Sequence, residues 1–201
     1  MTLVIVENIM VSYHSQSQIM ESTLKILLHT CCAPCATTCT ERLASTGYET
    51  VLFFSNSNIS PREEYEKRLE NIRKLADILD LRLVEDLYDH DRWLRHVRGL
   101  EDEPEQGRRC MKCFEFNLAR ASWMADRLRL PAFTTSLSVS RYKQSAKVFE
   151  VGYAFPKFEA IDFKKKDGYS RSFALSRLYG LYRQNYCGCE FSMSSWGKGK
   201  G

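Results

Sequence analysis

The sequence predicts a single α/β layered domain built on a mostly parallel sheet. Short β-rich runs alternate with segments of helical period, the intervals between them can hold crossover helices, and no internal repeat suggests another architecture. A chain of 201 residues can bury an ordinary core, and its 44% hydrophobic and 27% charged content speaks against general disorder while naming no function. The net charge of +4 tolerates an acidic partner such as RNA without requiring one.

LKILLHT, residues 24–30, reads as a buried first strand that delivers His29 and the first cysteines at its carboxyl end. A crossover helix follows from about Pro34 to Leu43, with proline suited to its first turn and Gly47 as a stop signal. YETVLFFS, residues 48–55, is the second strand, parallel to the first because one helix fits between them. Ser60-Pro61-Arg62-Glu63 reads as a capping box with proline at the first helical position. The helix it opens carries Tyr65, Leu69, Ile72, Ala76 and Leu79 on one stripe.

LRLVED, residues 81–86, supplies a third strand and AFTTSLS, residues 132–138, a fourth. The helix before the fourth strand presents Phe114, Leu118, Ala121, Ala125 and Leu128 on an apolar face and is ended by Pro131. Two further helices are expected near residues 141–151 and 171–183, the second carrying Phe173, Leu178 and Leu181. Residues 1–22 read as an N-terminal extension, 23–193 as the single α/β domain and 194–201 as a flexible tail. The opening residues lack a basic export region, and no run approaches the ~20 apolar residues of a membrane helix, which points to a cytoplasmic protein without a membrane partner.

Eight cysteines stand at 31, 32, 35, 39, 110, 113, 187 and 189, in three groups separated by long cysteine-free intervals. In a reducing compartment such grouping points to metal or redox chemistry rather than structural disulfides. Ligands of open α/β sheets sit beyond the carboxyl ends of the strands, which is where Cys31 and Cys32 fall. Cys110 and Cys113 open the helix before the fourth strand, where two thiolates at i and i+3 can approach one metal and the helix dipole favours the thiolate form. Zinc competes with iron for such a set. The spacing does not match a ribbon or finger, and an iron–sulfur cluster gives the vicinal Cys31-Cys32 pair separate iron vertices. Cys187-Gly188-Cys189 reads either as a strained dithiol that cycles with its disulfide or as further ligands or core thiols. Cys35 and Cys39 lie one helical turn apart, and Cys39 reads as packing.

The blocks LLHTCCAPC, GLEDEPEQGRRCMKCFEFNLARASWMA, FTTSLSVS and DFKKKDGYSRSFALSRLYGLYRQNYCGC resemble, in order, the motifs of the QueH family of epoxyqueuosine reductases. The resemblance runs from about Leu24 to Ser192. It implies a Rossmann-like sheet of the HUP or PP-loop kind with a helical carboxyl-terminal part. It also implies reduction of the epoxide of epoxyqueuosine at the tRNA wobble base, without cobalamin, to the cyclopentene of queuosine. Carried over by position, Cys31, Cys32, Cys110 and Cys113 would ligate a [4Fe-4S] cluster, and Cys187 with Cys189 would form the redox-active pair. An additional mononuclear iron is compatible with the family, and one or more of Cys31, Cys35, Cys187 and Cys189 would then be redistributed to it.

Lys164, Lys165, Lys166, Arg171, Arg177 and Arg183, near Tyr169, Tyr179 and Tyr182, have the mix of positive charge and stacking surface expected for an anticodon loop. His29, Arg108, Arg109 and Tyr186 are the candidate proton donors or cations by their nearness in sequence to cysteines. The electron donor is unspecified. The main rival reading is a zinc-stabilised RNA-binding module without redox activity. A Rossmann-like ATP-using thiolase is disfavoured, because HTCCAPC stands where a glycine-rich phosphate loop would.

Overall fold

The computed structural model describes residues 24–141 and 143–192, and the extension expected over 1–22 and the tail expected over 194–201 lie outside them. Four parallel strands, β1 (Leu24–His29), β2 (Tyr48–Phe54), β3 (Leu83–Glu85) and β4 (Ala132–Thr135), form a sheet of order β3-β2-β1-β4. The helices are α1 (Ala33–Ser45), α2 (Arg62–Leu79), α3 (His90–His96), α4 (Arg108–Arg127), α5 (Ser145–Gly152) and α6 (Gly168–Leu178).

The two-residue period of the strands divides the core. Ile26, Leu28, Leu52 and Phe54 face α1 and α2 and meet Leu43, Leu69, Ile72 and Leu75. Leu27, Val51, Phe53 and Phe133 face the other way, onto Leu118, Ala121 and Ala125 of α4. Burying each such side chain contributes about 1.5–3 kcal/mol, and β1, buried on both faces at its centre, reads as the continuous apolar run a parallel strand requires. Registers Leu24↔Tyr48 through His29↔Phe53 and Ile26↔Ala132 through His29↔Thr135 bring the ends of three strands level.

Several elements differ from expectation for identifiable reasons. The capping box does not form: helix α2 starts at Arg62 with Pro61 as N-cap, and the Ser60 amide donates instead to the Gly188 carbonyl at 2.9 Å. The third strand is trimmed to Leu83–Glu85. The fourth strand stops at Thr135, whose hydroxyl accepts from the Leu137 amide and turns the chain into a 3-10 helix over Ser136–Val139. Helix α5 begins four residues later than expected, and α6 begins and ends early. Phe173 and Leu178 are exposed, while Leu175, Ser172 and Ser176 make the buried face of α6. Helix α3 was not anticipated; an Asp89 side chain caps it and its core contribution is a single fully buried Trp93.

Candidate thiol centre

His29 locks the carboxyl edge of the sheet. Its Nδ1 lies 2.9 Å from Thr135 Oγ1 and its Nε2 3.0 Å from the Ser55 carbonyl, so one imidazole joins β1, β2 and β4. Thr30 donates its amide to the Phe53 carbonyl at 2.8 Å, and Asn56 Nδ2 donates to the Thr30 carbonyl at 2.8 Å. The loop holding Cys31 and Cys32 is therefore fixed on both sides before α1 turns Cys35 back onto it. The sulfurs of Cys31, Cys32 and Cys35 lie within 4.8 Å of one another, a triad able to hold a metal. Cys39 is fully buried and its thiol donates to the Cys35 carbonyl at 3.2 Å, a packing role as expected.

The first two turns of α4 supply Cys110 and Cys113. Cys110 Sγ accepts from the Gln106 amide at 3.2 Å, and Asn117 Nδ2 approaches Cys113 Sγ at 3.9 Å. The third group arrives by a longer route, along one stripe of α2. Arg68, Asn71 and Lys74, spaced three apart, hold the Cys187 carbonyl, the Tyr182 amide and the Gly180 carbonyl respectively. All three carbonyls of Cys187-Gly188-Cys189 are occupied, by Arg68 Nη1, by the Ser60 amide, and by the Ser192 amide and hydroxyl. The backbone of the pair is pinned and its two thiols are not joined in a disulfide.

Two adjoining cavities receive these side chains. An inner one is lined by Cys31, Cys110, Cys113, Cys187 and Cys189 with Trp93 and Asn117. An outer one is lined by Cys31, Cys32, Cys35 and Cys187 together with Tyr169, Phe173 and Arg183. Cys31, Cys187, Arg68 and Lys143 border both.

Electrostatics divide the sulfurs. Hydrogen bonds from Cys31 and then Cys35 hold the Cys32 thiol well below the usual thiol range, with Gln184 and the Arg68 charge acting in the same direction against burial. The bond with Cys32 pushes Cys31 up, and bonds with Cys31 and then Cys32 push Cys35 well up. For Cys110 and Cys113 burial is the leading cause and raises both, the opposite direction to that expected from a helix start. Burial works against the Lys143 ammonium, but charge interactions with Cys187, Cys31 and Cys35 and a hydrogen bond with Cys187 outweigh it and raise its pKa.

The other candidates disperse. His29 is a structural bolt whose burial lowers its pKa. Arg109 is buried and donates to the carbonyls of Leu100, Glu101 and Glu103, whereas Arg108 pairs with Glu103 at the surface. The Tyr186 hydroxyl donates to the Ser60 carbonyl at 3.3 Å while the residue borders the outer cavity. Arg171 pairs with Glu41, and Lys164 Nζ donates to the Lys143 carbonyl at 2.7 Å. Lys165 and Lys166 are exposed beside them. Arg177 lies over Phe173, and only Arg183 of the six basic candidates borders the outer cavity. Sequence reasoning missed Arg68, Lys143, Asn117 and Gln184. Asn117 and Gln184 lie inside the family blocks and Lys143 inside the helix expected over 141–151, yet neither residue type nor spacing marked any of the four as facing the cysteines.

Fold and site together define a parallel α/β protein with a convergent cysteine centre at the carboxyl edge of its sheet. The chain belongs to the family described as Epoxyqueuosine reductase QueH, whose profile matches residues 26–195. It is 36% identical over 183 residues to Epoxyqueuosine reductase QueH of Streptococcus pyogenes serotype M1, covering 86% of this chain and 71% of that one. Identity to the Histophilus somni (strain 129Pt) protein of the same name is 33%, covering 87% and 74%. For the Thermotoga maritima protein it is also 33%, covering 84% and 90%. Among solved structures, a predicted subunit of tRNA methyltransferase from Methanocaldococcus jannaschii matches with a TM-score of 0.52 at 14% identity, over 77% of this chain and 74% of that one, a likeness of fold alone. Among the described residues no helix is long and apolar enough to cross a membrane.

Proposed function

We propose that the chain reduces the epoxide of epoxyqueuosine, at the wobble position of a tRNA anticodon, to the alkene of queuosine, and that it does so in the cytoplasm. One observation carries this reading: seven cysteines from three distant segments border two cavities that share a wall. Cys31, Cys32, Cys110 and Cys113 are the ligands of a [4Fe-4S] cluster in this reading, and Cys35 serves a second, mononuclear iron. In support, the four donors are all thiols supplied with hydrogen bonds to sulfur from Ser136 Oγ, the Gln106 amide and Asn117 Nδ2, with Cys31 on the cavity that holds Cys110 and Cys113 and Cys32 on the adjoining one. An iron–sulfur group held by these residues would supply electron-carrying and Lewis-acid chemistry.

The remaining chemistry belongs to the chain. Conversion of an epoxide to an alkene and water consumes two electrons and two protons. Oxidation of the Cys187 and Cys189 dithiol to a disulfide releases two of each, so the step balances within the site. Arg68 and Ser60 fix the pair's backbone, and Lys143, hydrogen-bonded to Cys187, keeps a positive charge where negative charge gathers. An external electron donor restores the dithiol.

Anaerobically prepared protein should contain iron and sulfide, absorb broadly in the visible range, and convert epoxyqueuosine in tRNA. Cys187→Ser and Cys189→Ser should keep the absorbance and lose turnover. Loss of iron from both variants would reassign these thiols as ligands. A colourless zinc protein that binds tRNA without turnover would establish the zinc-stabilised module instead.

A further inference from the structure

We infer that the outer cavity is a built subsite for a single flipped-out, purine-like nucleotide, with Phe173 and Tyr169 as the stacking surface, Arg183 as the phosphate contact and Gln184 as the base-edge acceptor. The inference rests on the reductase reading for the identity of the nucleotide, and on the geometry of the cavity for the rest.

The cavity is bipolar. One wall is sulfur, from Cys31, Cys32, Cys35 and Cys187, and the opposite rim is aromatic and basic. Its cavity volume is ≈ 400 Å³, within the range of about 300–1,000 Å³ that small-molecule pockets span. A base reacting at the sulfur wall must leave the RNA stack, which requires a new face to lie on and a cation for the displaced backbone.

Both are present. Phe173 is a large apolar side chain left 42% exposed on α6, on the cavity rim rather than in the core. The Arg183 guanidinium carbon lies 5.2 Å from the Tyr169 ring centre and 5.0 Å from that of Phe173, so the three form one platform. Arg183 has no carboxylate partner among the described residues; its contacts are to Ser172 and Ser176, at 3.4–3.5 Å. A positive charge held between two rings, without a counter-ion, suits a phosphate.

Gln184 supplies the direction. Its amide hydrogen-bonds to Cys32, at the sulfur wall, while its Oε1 is buried with no partner. A buried acceptor without a donor is costly, and here it borders the cavity, so an N–H of the bound nucleotide would satisfy it.

The test uses the full-length, iron-loaded protein and an anticodon stem-loop RNA in two forms, carrying epoxyqueuosine or guanosine at the wobble position. Phe173→Ala and Arg183→Ala should each weaken binding of the modified RNA about 10-fold by fluorescence anisotropy, with Phe173→Tyr restoring it. Iron content and unfolding midpoint should stay unchanged. Gln184→Leu should weaken binding of both RNAs, because the wobble base presents the same N–H donors on its edge in each. Unchanged affinity in both alanine variants, with wild-type turnover intact, would overturn the subsite and assign the rim to packing of α6. Binding that depends on Phe173 in a wild-type protein without turnover would uphold the subsite and overturn the reductase reading.

Discussion

Gly188 sits between the two thiols of the proposed redox pair at φ +123°, a backbone region that side chains rarely enter. A Cβ there would meet Arg68 Nη1 at 3.0 Å and Ile59 Cγ1 at 3.2 Å. Gly188→Ala combines backbone strain with displacement of the arginine that holds Cys187, and it should cost about 1–3 kcal/mol in urea unfolding and slow oxidation of the dithiol. Tyr65 gives a pH-dependent expectation at the same scale. Burial, followed by nearby carboxylates, pushes its phenol up from 10.0 to about 12. A group whose folded pKa is raised contributes its full stability below the unfolded value, so the contribution holds below pH 10.0 and is lost as pH rises towards about 12. Tyr65→Phe should flatten that alkaline decline in unfolding free energy.

At the scale of elements, α3 and α6 do more for the site than their lengths suggest. Helix α3 spans seven residues and could not persist alone; its stability comes from Trp93, which is fully buried against Val97, Phe116 and Cys189. His90 extends the attachment, with Nε2 2.7 Å from Glu190 on the segment that carries Cys189. Trp93→Ala should therefore destabilise by about 3–5 kcal/mol in equilibrium unfolding and loosen the wall of the inner cavity. Helix α6 approaches α1 through small residues. Gly168 lets the preceding loop fold back onto the start of α6, since a Cβ there would fall 1.7 Å from the Phe163 carbonyl oxygen. Close docking of α6 is what turns Tyr169 and Phe173 towards the mouth of the outer cavity.

For the whole molecule, a modest positive charge is unevenly useful. Of the lysine run, Lys164 has its ammonium engaged by the Lys143 carbonyl, while Arg42 binds the backbone carbonyls of Lys165 and Lys166 and leaves their side chains outward. Neutralising Lys165 and Lys166 together should lower the slope of log affinity for tRNA against log salt by about 1–2, and Lys164→Gln should add less. A slope unchanged by the double substitution would remove this run from the RNA footprint.

The sequence by itself determined the order and type of the strands, the two faces of the sheet, and the grouping of cysteines beyond its carboxyl edge. Hydrophobic period and cysteine spacing are local properties, so they survive in one dimension. Its motif blocks also carried the family. The capping box failed because Ser60 had a distant alternative partner in Gly188, which no local rule contains. Tertiary structure alone decided that burial raises the pKa of Cys110 and Cys113, and that Arg68, Lys143 and Gln184 stand among the sulfurs. Such placements depend on contacts between residues about a hundred positions apart, and an arginine or glutamine on a helix or loop looks the same in sequence whichever way the fold turns it.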